Sequence, residues 1–308
     1  MPRVAGLHHV TTICSDARRA LAFYVRVLGL RLVKRTVSCT VPMVARFYCS
    51  AATGAPGTLV ALAVHENAAP GRSGTGQVSA ATLAVPPGAL AYWQARLAAH
   101  GVAARGHAWT FGERHLCFAD PDGLELAIVE EGPRTAGTGE AADVPDAFAI
   151  RRIRAIEIHV DAVEPTAAFL VEALGLRFSG QDGAAFRFRG GAGVTVDLVC
   201  APGNRPGAAG AGIVQHVAWH VRDDTALAAL RDALVARGIA VTPPLDQHYF
   251  RAAEFAAPGG IGCVLATDAP GFAIDEPAAA LGKRLCLPPW LEPDRDAIAS
   301  FLPHVDEP

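Results

Sequence analysis

The chain has 308 residues, 51% of them hydrophobic, and a formal net charge of -3. That supplies a large core over about two domains, while the mild negative charge without basic runs excludes the electrostatic footprint of a nucleic-acid or membrane-surface binder and points to small-molecule chemistry. Seven cysteines, an odd number without a CxxC pair, and a start lacking the long apolar stretch of a signal peptide lead us to expect a reduced, cytoplasmic protein.

Residues 7–13 alternate as a strand. Asp16 suits the cap of a helix whose apolar positions Leu21, Phe23, Tyr24, Val27 and Leu28 share one face, and Gly29 stops it. Strand-like runs at 32–37, 45–49 and 58–64 complete a module of one strand, one helix and three strands. The same order returns from Val78, through a helix at 90–100 and Gly101, to strands ending at Glu130. A third copy runs from Ile153 through Phe169 and Leu174-Gly175-Leu176 to Val199, and a fourth from Val214 through a helix at 226–237 and Gly238 to Ala266. Modules one and three share Leu-Gly-Leu-Arg after the helix. Modules two and four share a polar helix closed by Gly and a Pro-Asp-Gly or Pro-Gly-Gly turn, so the repeat is a pair, duplicated. The Gly-, Pro- and acid-rich residues 131–145 read as a linker. The expected organisation is an N-terminal pair at 1–130, a linker at 131–148, a C-terminal pair at 149–267 and an extension at 268–308 packing on the domains. Gly190, Gly191 and Gly193 lack the strand-to-helix setting of a dinucleotide site and read as a turn. Ser15 and Ser38 read as cap or turn residues.

His9, in Gly6-Leu7-His8-His9-Val10, and His216, in Val214-Gln215-His216-Val217, hold the same place in modules one and four. Neutral imidazole is the commonest side-chain ligand of transition metals, so matched histidines on equivalent strands can converge on one ion. Modules three and two read as carrying Glu157 and Ala80 at those positions, which favours a single site. His220 stands four strand residues from His216, roughly 13 Å at ordinary strand rise, too far to share its ion. His248, in Asp246-Gln247-His248-Tyr249-Phe250, is placed to act as an acid or base, whereas Tyr249 and Phe250 are better suited to packing.

Gly6-Leu7-His8-His9-Val10-Thr11, the Phe23-Tyr24 to Leu28-Gly29-Leu30 segment and Asp120-Pro121-Asp122-Gly123 resemble the vicinal oxygen chelate (glyoxalase/bleomycin resistance/dioxygenase) superfamily. The run from Ala266 to Pro277, followed by Leu287-Pro288-Pro289-Trp290-Leu291-Glu292-Pro293, is similar to its hydroquinone-type ring-cleaving dioxygenase branch. The resemblance implies an α+β fold of four βαβββ modules paired into two cup-shaped mixed β-sheets with flanking helices. It also implies an ion held in one cup by two His and one Glu, with open positions for a dihydroxylated aromatic and dioxygen. The implied metal is Fe(II), with Mn(II), Co(II) or Zn(II) as alternatives. His9 and His216 take the two imidazole positions, and His8 and Thr11 match residues around them. The implied partners are a small aromatic substrate and dioxygen, without nucleic acid or membrane; a homo-oligomer is compatible.

The family's Glu position holds Val264, which cannot ligate. The family pattern also has Arg at Gln247, Tyr at Glu254, and His at Gln215 and Arg46. If Pro258-Gly259-Gly260 joins its strands symmetrically about Gly259, Glu254 lies directly opposite Val264 on the same face, where opposed β-carbons are about 4.5–5.5 Å apart. Glu254 is therefore the candidate replacement carboxylate. The function expected is metal-dependent, extradiol-type ring cleavage of a hydroquinone or catechol. The alternatives are a metalloenzyme of the same fold with isomerase, lyase or other oxygenase chemistry, and a non-catalytic small-molecule binder.

Overall fold

The computed structural model describes residues 3–51, 53–105, 107–132 and 143–305; the middle of the expected linker, 133–142, lies outside them. Module one comprises β1 (Gly6–Cys14), α1 (Ala17–Leu21) continuing as a π-helical turn to Val27, β2 (Arg31–Val37), β3 (Ala45–Ser50) and β4 (Leu59–Val64). Module two comprises β5 (Gln77–Val85), α2 (Leu90–Ala99), β6 (His107–Thr110), β7 (Glu113–Ala119) and β8 (Glu125–Glu130). Module three has β9 (Arg152–Val160), α3 (Val163–Ala168) with its own π-helical turn, β10 (Arg177–Asp182), β11 (Ala185–Arg189) and β12 (Thr195–Cys200). Module four has β13 (Val214–Val221), α4 (Asp224–Val235), β14 (Leu245–Asp246), β15 (Phe250–Ala257) and β16 (Ile261–Pro270).

Local chemistry explains the shared shape of modules one and three. Asp16 accepts from the Arg19 N–H at 2.9 Å and caps α1. The next turn widens identically in both copies: the Leu28 N–H reaches Phe23 O at 2.9 Å and the Leu174 N–H reaches Phe169 O at 3.2 Å. Gly29 and Gly175 then break the helix at φ 69° and 79°, a left-handed conformation that a side chain opposes.

The strands form two eight-stranded mixed sheets, ordered β14-β15-β16-β13-β1-β4-β3-β2 and β10-β11-β12-β9-β5-β8-β7-β6. Each takes one module from each half of the chain: modules one and four share one sheet, modules two and three the other. The seams are antiparallel, β1 on β13 and β5 on β9, with parallel pairs outside them. This is the α+β arrangement of paired modules expected from the sequence. Helix faces bury Trp93 and Leu97 of α2 and Leu227, Leu230 and Leu234 of α4 in the main core. Tyr24 donates to Asp120 Oδ2 at 2.9 Å, tying module one to the Asp120-Pro121-Asp122-Gly123 turn. No helix among the described residues is long and apolar enough to cross a membrane.

After β16 the chain returns across the first sheet and ends in α5 (Arg295–Phe301). Its anchor is an ion cluster. Lys34, on β2, is fully buried, and its Nζ donates to Asp275 Oδ1 and Glu276 Oε2, each at 2.5 Å. The same ammonium lies 5.0 Å from the centre of the Tyr249 ring, whose hydroxyl donates to Asp275 Oδ2 at 2.9 Å. Burial pushes both carboxyls upward, but the bonds to Lys34 outweigh it and hold them below their ordinary range.

A carboxyl depressed in the fold stabilises it above the unfolded pKa of about 4 and ceases to do so as pH falls through the folded value. Lys34→Met leaves two carboxylates without their cation and is expected to cost about 3–5 kcal/mol at neutral pH. The deficit should narrow toward pH 4 as the orphaned carboxyls protonate. Thermal unfolding of parent and variant between pH 4 and 8 checks both the size and the sign.

Candidate functional site

A strand's side chains alternate between faces, so consecutive histidines should point apart. A bulge in β1 between Leu7 and His9 breaks the alternation. Both rings consequently pack on Phe250, with centroids 5.1 and 5.5 Å away, and both residues are 2% exposed. Across the seam His9 pairs with Ala218 and Thr11 with His216. The His9 and His216 Nε2 atoms are 3.4 Å apart, and Thr11 Oγ1 is 2.8 Å from His216 Nε2. Gly262 lets β16 approach this point: a β-carbon there would stand 2.5 Å from Gln215 O.

Burial, then His220, pushes His8 down to about 3, and burial, then Arg46, does the same to His216. Burial, then His8, His216 and Arg46, holds His9 well below its usual value. All three rings are neutral. His8 Nδ1 lies 2.8 Å from His9 Nδ1, one ring donating and the other accepting. With His9 as the donor of that bond, its neutral ring keeps a lone pair on Nε2, the nitrogen that faces His216.

His9, Thr11 and His216 open on a cavity of about 60 Å³, which Arg46, Tyr48, Gln247 and Glu254 also line. Tyr48, Tyr249, Phe250 and Val264 give it an apolar wall. The hairpin register is as expected: Glu254 pairs with Val264, which pairs with Ala218, which pairs with His9. The carboxylate at 254 therefore starts one strand, about 4.8 Å, farther from the imidazoles than one at 264 would. Glu254 is exposed. Among the described residues the one set of three or more His, Cys, Asp or Glu side chains with ligand atoms within 4.8 Å of one another is Asp275, Glu276 and Cys286, where Lys34 already supplies a cation. At least one separation between Glu254 and the two imidazoles thus exceeds 4.8 Å.

His248 does not line this cavity. It sits in a left-handed turn at φ 66°, and its Nε2 faces Asp275 Oδ2 at 3.4 Å, on the far side of the Tyr249 wall. His220 is engaged by Asp268. Arg46, which the sequence marked only as a departure from the family's His, lines the cavity; the further signal was a charge between Ala45 and Phe47 on an otherwise apolar strand.

The second cup differs at each matching position. Ala155 pairs with Thr195 as His9 pairs with Leu59, so Ala155, not Glu157, is the counterpart of His9. Glu157 corresponds to Thr11 and faces Ala80, the counterpart of His216. Ala127, opposite Thr82, matches Val264. A bulge before Ala155 reproduces the one before His9, so the two strands keep the same register, and strand pairing removes the two-residue offset of the reading from sequence.

The Glyoxalase/Bleomycin resistance protein/Dioxygenase superfamily model matches residues 6–128 and 152–275. The chain belongs to this superfamily. It is 36% identical over 302 residues to "Putative ring-cleaving dioxygenase MhqO" of Bacillus subtilis, covering 97% of this chain and 96% of that protein. It is 32% identical over 310 residues to the chlorohydroquinone/hydroquinone 1,2-dioxygenase of Sphingobium indicum, covering 96% and 95%. A crystal structure described as a putative dioxygenase from Bacillus subtilis superposes with a TM-score of 0.95 at 35% identity, covering 99% of each chain. Superfamily membership and these relatives imply a metal cofactor.

The histidine pair fits one. Two nitrogens each about 2.1 Å from an ion at a tetrahedral angle lie about 3.4 Å apart, and the burial that keeps both rings neutral removes proton competition. Thr11→Val, which deletes a hydroxyl bonded to the same His216 Nε2 that would hold an ion, is expected to raise metal affinity by up to about tenfold, because a bond of about 0.5–1.5 kcal/mol no longer competes for that nitrogen, while changing stability by about 1 kcal/mol or less. Metal titration alongside thermal unfolding checks this, and a weakened affinity would mean that Thr11 supports the ion rather than competing with it.

Proposed function

We propose that this superfamily member is a metal-dependent ring-cleaving dioxygenase acting on a dihydroxylated aromatic of the hydroquinone or catechol type. The observation that carries the reading is the convergence of two neutral imidazoles, from modules one and four, at the floor of an apolar-walled cavity. His9 and His216 are the metal ligands, and Glu254 completes the set by rotating inward from its exposed position. When bound, Fe(II) supplies a redox-active centre with open positions for a dihydroxylated ring and dioxygen. Mn(II) and Co(II) are alternatives of similar geometry; Zn(II) suits the imidazoles but lacks redox chemistry.

The chain's own residues bind and orient. His8 orients the His9 ring through the Nδ1–Nδ1 contact, and Thr11 occupies His216 Nε2 until an ion takes its place. The rings of Tyr48 and Phe250, 6.4 Å apart and nearly perpendicular, form the wall on which an aromatic ring packs. Catalysis then rests on positioning and charge stabilisation rather than on a protein nucleophile. Valine at 264 and an exposed Glu254 favour a second reading, in which the ion sits on two imidazoles and water and supports non-oxidative chemistry.

His216→Ala should lose most bound metal while keeping its circular dichroism and unfolding midpoint, since one ligand contributes little to so large a core. Full occupancy in that variant would defeat the assignment. Iron-loaded protein should consume oxygen with a hydroquinone or catechol, and zinc-loaded protein should not; no uptake across a broad panel at full iron occupancy would favour the second reading. Glu254→Gln keeps the side chain's size and removes its charge, so metal affinity should fall about tenfold or more. Parent-like affinity would place the ion on the imidazoles alone.

A further inference from the structure

Arg46 is an unusual occupant for a wall of neutral and apolar groups. It is half-buried on β3 and lines the cavity holding His9 and His216 as well as an adjoining one of about 270 Å³. The two cavities share His216, Arg46 and Glu254, so the guanidinium stands where they meet. Its one described side-chain bond is from Nη2 to Gln215 Oε1, at 3.1 Å. Among the described residues no carboxylate lies within 4.0 Å of it. Glu254 is close enough to interact with its charge but not to form an ion pair.

A guanidinium taken partly out of water without an ion partner costs stability. Its planar fork of donors matches a carboxylate in two parallel bonds. Its field also reaches the site: after burial, Arg46 is a further cause of the lowered values of His9, His216 and His65. If Glu254 turns toward the imidazoles, no other acidic side chain among the residues lining either cavity remains for Arg46.

We propose that Arg46 is a specificity-determining residue that binds a carboxylate on the aromatic ligand, so that the preferred substrates are dihydroxylated aromatic acids rather than unsubstituted hydroquinone. The inference rests on the reading of the His9–His216 cavity as the substrate site. The ring oxygens face the imidazoles, and the carboxylate sits where the two cavities join.

The test is calorimetric titration of the purified full-length protein with 2,5-dihydroxybenzoate, its methyl ester and hydroquinone, with oxygen uptake followed in parallel. The acid should bind about tenfold or more tightly than the ester, the lower end of what a charge-assisted bond contributes. Arg46→Gln should remove that preference while leaving hydroquinone binding within about twofold, and Arg46→Lys should restore only part of it, because a point charge replaces a fork. Equal binding of acid and ester, no binding of any of the three, or loss of acid and hydroquinone alike in Arg46→Gln would overturn the proposal. If that variant does not fold, acid against ester on the parent protein decides alone. An acid preference without oxygen uptake in protein at full iron occupancy upholds the role of Arg46 and counts against the dioxygenase reading instead.

Discussion

The site depends on the antiparallel seam between β1 and β13. Neither half of the chain builds the first sheet by itself: residues 6–64 supply one flank and 214–270 the other. The seam's register, with His9 opposite Ala218 and Thr11 opposite His216, makes the imidazoles neighbours. A slip of one residue would turn every side chain of β1 to the other face and separate them. The bulge adds what a regular strand cannot. It brings His8 onto the same side as His9, so the ring that orients the candidate ligand comes from the adjacent residue.

The wall of the cavity is held from a distance. Tyr249 faces the cavity with its ring and bonds Asp275 with its hydroxyl, and Asp275 is itself fixed by Lys34. Three charged groups at low exposure are an expensive way to attach a segment that apolar residues would hold equally well. The arrangement makes sense as a positional device. It specifies where the C-terminal extension crosses the cup, and the extension delivers Phe272 against Tyr48 and Tyr249, with ring centroids 4.9 and 5.2 Å away.

Much of this was legible in the sequence because it is periodic or local. The modules followed from strand and helix periods and their glycine stops, the pairing of His9 with His216 from their recurrence, and the Glu254–Val264 register from the symmetry of one short turn. What escaped was long-range or broke a period. The partners of Lys34 lie about 240 residues away, beyond any local pattern. His248 looked like an acid or base near the site, but its left-handed backbone turns the ring to Asp275. Glu157 looked like the counterpart of His9 until the strand pairing set it opposite Ala80, in the place of Thr11.

Comparison of the two cups separates scaffold from chemistry. Both keep the bulge, the antiparallel seam and the parallel flanks, yet one carries His9 and His216 where the other has Ala155 and Ala80. The bulge is therefore a property of the duplicated fold rather than of the site, and the histidines make use of a geometry that module pairing supplies without them. The remaining charges of the first cup follow the same logic. Relative to the family pattern, its carboxylate stands at Glu254 instead of Val264, and its guanidinium at Arg46 instead of Gln247; all four positions line one cavity. The cavity thus retains one acid and one base on its wall, with the acid's origin about one strand spacing farther from the imidazoles. Such a shift leaves the fold untouched, since these side chains face the cavity rather than the core. Its effect falls on how closely the acid can approach the imidazoles and on which ligand charge the base can meet.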